Sequence, residues 1–247
     1  EYLKQYMKGK SALHDEDAVI VTSGAQQVMA LASKALCNSG DTIVCENPSF
    51  IGSLNSFRAH GGSLKGVDMQ PDGMDMDALE TLLKSDKKVK FIYTIPNFQN
   101  PTGITMSYEK RIRLYELACK YDVIILEDNP YGDIRFEGED IPPIKSLDNE
   151  GRVIYAGSFS KVISPGMRVG FGAANKDLMA KMVVCKQVED VHTNILSQMI
   201  IHRYVTEYDF SAHLERIREI YRHKAALMMS LADKYLCPDI KYNRVQG

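Results

Sequence analysis

The sequence contains no apolar run of the ~18 residues that a membrane-spanning helix needs, and no stretch reads as a secretory leader. It also lacks a charge excess of either sign. Lys and Arg number 30 against 32 Asp and Glu, a formal charge of −2. That balance removes the long-range pull toward nucleic acid or an anionic membrane, though it leaves room for a small cationic pocket. With 17 glycines and 9 prolines in 247 residues, collagen and disordered low-complexity chains are excluded. Cysteine is sparse and unpatterned: Cys37, Cys45, Cys119, Cys185 and Cys237 are odd in number and form no CxxC pair. Such scattered thiols point to a reducing compartment, so a cytoplasmic location is expected. The six histidines show neither HExxH nor Cys/His ligand spacing, so no metal site is read.

What is present is a repeated alternation of short β-rich runs and helical stretches. The runs are 19–23, 42–46, 63–69, 91–96, 123–128, 153–158 and 168–174. Several are almost continuously apolar, as expected of strands covered on both faces. Helical patterns fill 25–38, 50–60, 75–85 and 107–121. The expected fold class is α/β, a three-layer αβα arrangement around a mostly parallel, seven-stranded central sheet. Beyond residue 175 the pattern is helix only, read as two long helices over 176–206 and 209–235. The second, with Ile217, Ile220, Leu227 and Leu231 on one side, is expected to lead into a small domain largely absent from this sequence. The expected division is 1–205 as a large domain and 206–247 as the start of a second. Glu1 already lies inside a helical pattern, and the residues before Gly247 read as the start of a strand. The sequence therefore reads as a piece of a longer protein.

In an open α/β sheet, ligands bind outside the carboxyl ends of the strands. After 19–23 comes Ser23-Gly24-Ala25-Gln26-Gln27, a small-residue turn opening a helix, where free N–H groups suit an anion. After 91–96 comes the turn-rich loop Asn97-Phe98-Gln99-Asn100-Pro101-Thr102-Gly103. Glu127-Asp128-Asn129-Pro130-Tyr131 and Gly157-Ser158-Phe159-Ser160-Lys161 end two further strands, and Arg168 is read as opening the next. Taken singly, each has an ordinary reading as a helix cap, a turn, a loop cap or a surface pair. Jointly, their order puts an anion nest, an amide, an acid with a phenol, and a lysine with two hydroxyls along one edge.

Competing motifs are weaker. Ser158–Lys161 fits SxxK, but the partner tripeptides SDN and KTG are missing, and Ser158 ends a strand rather than opening a helix. Gly9-Lys10-Ser11 has no glycine at the head of a P-loop, since Lys4 stands there. Gly170-Phe171-Gly172 lacks the third glycine of a dinucleotide fingerprint.

The series SGAQQ, ENPSF, NFQNPTG, EDNPYGDIRF and SFSKVISPGMRVGF resembles the fold-type-I, class I/II pyridoxal-phosphate aminotransferases, in the branch of the 2-aminoadipate and kynurenine enzymes. The resemblance implies transfer of an amino group between an α-amino acid and a 2-oxo acid in a ping-pong cycle, with pyridoxal 5′-phosphate as cofactor. It implies that Lys161 forms a Schiff base with the cofactor and moves the substrate proton. It also implies that Asp128 pairs with the ring nitrogen and that Asn100 and Tyr131 bond the ring 3′ oxygen. Lys161, Asp128 and Tyr131 are thus the implied catalytic set. Phe50 is implied to stack on the ring, as Phe where relatives often have Tyr. Ala25, Gln26, Ser158, Ser160 and Arg168 are implied to line the phosphate, Ala25 through its backbone N–H alone. The family further implies a homodimer, and a substrate-binding Arg in the absent small domain. Two other outcomes remain open: a β-lyase on the same fold, or the pyridoxal-phosphate-binding effector domain of a transcriptional regulator with a DNA-binding head before Glu1.

Overall fold

The computed structural model describes residues 1–247. Eight strands build one sheet: β1 (Asp17–Thr22), β2 (Thr42–Asn47), β3 (Ser63–Gln70), β4 (Gly73–Met74), β5 (Val89–Thr94), β6 (Ile124–Asp128), β7 (Val153–Ser158) and β8 (Gly170–Asn175). Their spatial order is β1-β8-β7-β6-β5-β2-β3-β4. Strands β3, β2, β5, β6 and β7 run parallel, as the helical crossovers between them require. The seven expected runs all become strands. The eighth, β4, was not expected: it is two residues turning back antiparallel on Met69 and Gln70, too short to carry any alternation.

The direction of β8 decides where the site forms. It runs antiparallel to both of its neighbours, β7 and β1. Its amino end, at Gly170, therefore pairs with Ser158 on one side and Thr22 on the other, both at carboxyl ends. The carboxyl ends of β1, β2, β5, β6 and β7 and the amino end of β8 all lie along one edge.

Eight helices cover the sheet. On one face α2 (Ala25–Leu36), α3 (Ile51–Ala59) and α6 (Lys176–Glu189) enclose a core that includes Val28, Leu31, Phe57, Phe91, Tyr93, Leu126 and Ile154. On the other, α4 (Met76–Ser85) and α5 (Tyr108–Tyr121) cover Val44, Ile92 and Ile125. There too α1 (Tyr2–Gly9), α7 (Ile195–Glu207) and α8 (Phe210–Tyr235) meet Tyr155, Phe171 and Ala173. Side chains cap α4 and α5: Asp75 accepts the N–H groups of Asp77 and Ala78, and Ser107 that of Lys110.

Three boundaries differ from expectation. The helix expected over 176–206 breaks into α6 and α7, because Val191 takes a left-handed φ of 59° and Asn194 recaps the chain through the N–H of Ser197. Arg168 does not open β8; it sits two residues before it, at φ 53°, after a single 3-10 turn over Pro165–Met167. The last residues form no strand. Instead the Asn243 amide donates to the Thr102 carbonyl, and the Gln246 carbonyl accepts the N–H groups of Phe136 and Glu137.

Candidate active site

Strand alternation sorts the acids at the end of β6. Glu127 faces α5 and accepts the N–H groups of Ile144 and Lys145. Asp128 falls on the opposite face, under α3, and is only 5% exposed. One of its oxygens, Oδ2, accepts the Tyr93 hydroxyl at 2.8 Å. The other, Oδ1, is buried with no partner. Burial pushes this carboxyl up to about 7, against the pull of the Tyr93 hydrogen bond. A buried carboxylate with one oxygen unmatched is poised for a protonated donor that the chain itself does not supply.

Tyr131 follows on the same loop. Its hydroxyl accepts the Asn100 side-chain amide at 3.1 Å, and the Lys161 ammonium lies 5.8 Å from the centre of its ring. Burial raises the Tyr131 phenol from its ordinary value. The loops bearing Asn100, Tyr131 and Lys161, from β5, β6 and β7, thus converge. No hydrogen bond or ion pair joins Lys161 to Asp128; Tyr131 stands as their common neighbour.

The second cluster lies at the start of α2. Gly24 takes φ +80°, and no side chain caps the helix, which leaves its first N–H groups available to an anion. The Arg168 guanidinium donates to the Ser23 carbonyl at 3.2 Å. A Cβ on Gly24 would come within 2.2 Å of Arg168 Nη2, so only glycine admits this approach. Gly170 is equally constrained, since a Cβ there would meet the Ala25 nitrogen at 2.5 Å. Ser158 accepts the N–H of Ser160 at 3.1 Å, holding the turn that carries Lys161. Gln26 donates to the Gly52 carbonyl at 2.9 Å, and the Phe50 ring packs over Gly52, where a Cβ would stand 2.7 Å from it. A guanidinium and an uncapped helix amino end thus stand together, a pairing suited to an anion, and an aromatic ring borders them.

Several residues that build this edge were not anticipated. Tyr93 and the buried Ser53, whose Oγ lies 2.9 Å from the Tyr93 hydroxyl, stand behind Asp128. Asn97 and Asn129 join the β5 and β6 loops at 3.0 Å, and fully buried Arg111 fixes Asn97 at 2.7 Å. Buried Glu46 accepts from Thr94 and Gln99, and burial raises it to about 7. Glu46 and Asn97 stood within the quoted motifs. Tyr93 and Arg111 carried no sequence signal beyond their position in apolar patterns. A hollow of about 750 Å³ lies elsewhere: it is apolar and sits between α1 and α7, beside Phe159, Leu196 and Met199.

The sequence pattern described as aminotransferase class I and II matches residues 1–231. The chain belongs to this family. It is 40% identical over 233 residues to the aromatic-amino-acid aminotransferase 1 of Thermococcus litoralis, covering 93% of this chain and 56% of that protein. Pyrococcus horikoshii kynurenine aminotransferase, solved in complex with PMP, kynurenine and its product, superposes with a TM-score of 0.96 at 35% identity, over 99% of this chain and 62% of that one. A third relative, 31% identical over 238 residues, is the uncharacterized HTH-type transcriptional regulator YisV of Bacillus subtilis, with 95% of this chain and 48% of that protein covered. This aminotransferase-family chain thus spans about half to three fifths of the length of the proteins it matches.

Proposed function

We propose that this chain carries the pyridoxal-phosphate site of an enzyme that moves an amino group between an α-amino acid and a 2-oxo acid. The observation that carries the reading is the buried, half-partnered Asp128, on the same sheet edge as Lys161 and as Arg168 with the amino end of α2. These residues fit the cofactor's three unlike ends: an aldehyde, a basic ring nitrogen and a phosphate. The bound cofactor would supply an electron sink for charge left at the substrate carbon.

The chain's own residues would do the rest. Lys161 offers the amine that joins the aldehyde, and afterwards a base to carry a proton. Asp128 Oδ1 holds a proton on the facing nitrogen. The Asn100–Tyr131 pair bonds the ring oxygen, and Phe50 covers a ring face. Arg168, Ser158, Ser160, Gln26 and the Ala25 N–H take the phosphate, and anchor the reacting end near Lys161.

Residues 1–205 are read as the cofactor-binding large domain, and 206–247 as the opening of a second domain. A homodimer and a cytoplasmic location complete the proposal. They are supported by the exposed apolar side chains of α7, by five unpaired cysteines and by the absence of any helix long and apolar enough to cross a membrane. The test is direct. The complete protein, loaded with pyridoxal phosphate and reduced with borohydride, should carry a stable adduct on the peptide containing Lys161, and Lys161→Ala should carry none. An unsubstituted protein with no adduct overturns the assignment. An amino-donor screen against 2-oxoglutarate then identifies the substrate. A second reading, an effector domain of a transcriptional regulator, is favoured by similarity to proteins of Bacillus subtilis named as HTH-type transcriptional regulators. A DNA-binding segment ahead of Glu1 would decide for it.

A further inference from the structure

We propose that Tyr93, backed by Ser53, is a positioning residue: its hydroxyl engages one oxygen of Asp128 so that the other is left to take a protonated ring nitrogen. The proposal deepens the cofactor reading given above and rests on it.

The sheet builds the contact. Tyr93 on β5 is registered with Leu126 on β6, which places Asp128 two residues further along the same face. That diagonal lies within reach of a tyrosine side chain. Tyr93 is fully buried, and its ring is already held by an edge contact with Phe57 at 5.2 Å between centroids. Packing therefore does not require the hydroxyl. The hydroxyl has one proton, which it gives to Asp128 Oδ2 at 2.8 Å. Ser53 Oγ, 2.9 Å behind, then serves as donor to Tyr93. The result is a short chain, Ser53 to Tyr93 to Asp128, that ends at the unpartnered Oδ1.

No lysine, arginine or histidine forms an ion pair with Asp128. The groups that bear on it are Tyr93 from β5, Glu46 at the end of β2 and Tyr131 on its own loop, with Lys161 next to Tyr131. Glu46 is of like charge and favours the protonated acid. Tyr93 is thus the one donor that favours the carboxylate. A hydrogen bond to a carboxylate also lowers its hunger for a proton. With Tyr93 in place, a proton shared between Asp128 Oδ1 and a ring nitrogen stays on the nitrogen. With the hydroxyl removed, it moves toward the oxygen.

The experiment follows Asp128 in the complete, cofactor-free protein by infrared difference spectroscopy with ¹³C-labelled aspartate, using Asp128→Asn to assign the band. Tyr93→Phe should raise the Asp128 midpoint by roughly half a unit to one unit. Ser53→Ala should raise it less. Fluorotyrosines of increasing acidity at position 93 keep the ring and strengthen the bond, so the midpoint should fall along the series. These two alternatives keep the test open if Tyr93→Phe does not fold. In protein loaded with ¹⁵N-ring-labelled pyridoxal phosphate, the nitrogen resonance should shift toward its unprotonated position in Tyr93→Phe. A midpoint that is the same in every variant overturns the proposal. So does an unmoved nitrogen resonance in loaded Tyr93→Phe. Failure of the unsubstituted protein to take up the cofactor overturns the functional reading instead, and a graded Asp128 midpoint in those samples still supports the Tyr93 link.

Discussion

Asp128, Lys161 and Arg168 could each be named from the motifs around them, because a turn after an apolar run is visible in one dimension. Their partners could not. Tyr93 lies 35 positions from the acid it bonds, inside a run that reads only as strand. Gly24 reads as a generic turn glycine until Arg168 is seen against it. A prediction belongs at this scale. Burial raises both Asp128 and Glu46 to about 7, from ordinary carboxyl values. Acids that hold protons more tightly when folded favour folding fully below the ordinary carboxyl range. They lose that contribution as the pH rises through their folded values. The denaturant midpoint of the cofactor-free protein should therefore fall between about pH 4 and pH 7 and level off above. Glu46→Gln should flatten that slope; a slope unchanged by the substitution would show that Glu46 does not titrate in this window.

Elements were more legible than residues, and their failures have local causes. The helices α2, α3, α4 and α5 start and stop within a few residues of the expected limits, since apolar period marks all four and capping residues mark α4 and α5. The break between α6 and α7 was missed because nothing in 190–194 is a strong breaker. Asp190 there accepts from Lys186 and from Ser23, 167 positions away in the chain. That long-range bond cannot be seen in a helical pattern. Arg111 makes the same point on α5. It is fully buried, and donates to the carbonyls of Met106, Pro96 and Pro142 and to Asn97. It ties α5 to the loop that holds Asn100. Arg111→Met should cost about 3–5 kcal/mol in denaturant unfolding, because several buried acceptors lose their donor together. A loss below about 1 kcal/mol would mean that solvent replaces the guanidinium.

For the whole molecule, the unpartnered feature is the apolar surface of α7. Leu196 and Met199 are 66% and 63% exposed, beside the 750 Å³ hollow that reaches α1. An exposed apolar patch of this kind is where the proposed homodimer would form its contact. If the proposed homodimer uses this face, Leu196→Glu combined with Met199→Glu shifts the complete protein toward monomer in sedimentation velocity, with its far-ultraviolet spectrum unchanged. A sedimentation coefficient matching the unsubstituted protein would remove α7 from any contact between copies.

Local hydrophobic period and turn chemistry were enough to establish the alternating α/β build, and the resemblance of the motif series pointed to the family. Those same signals put a lysine, an acid and an arginine close to strand ends. That these strand ends share one edge was expected from their order; what tertiary structure decided is how Arg168 joins it, because β8 runs against β7 and β1 and that reversal brings Arg168 back to the start of α2. The pairing of Tyr93 with Asp128 was settled there too, since it depends on the register of β5 against β6. Register is fixed by how two covered faces pack together, and neither strand carries that information by itself.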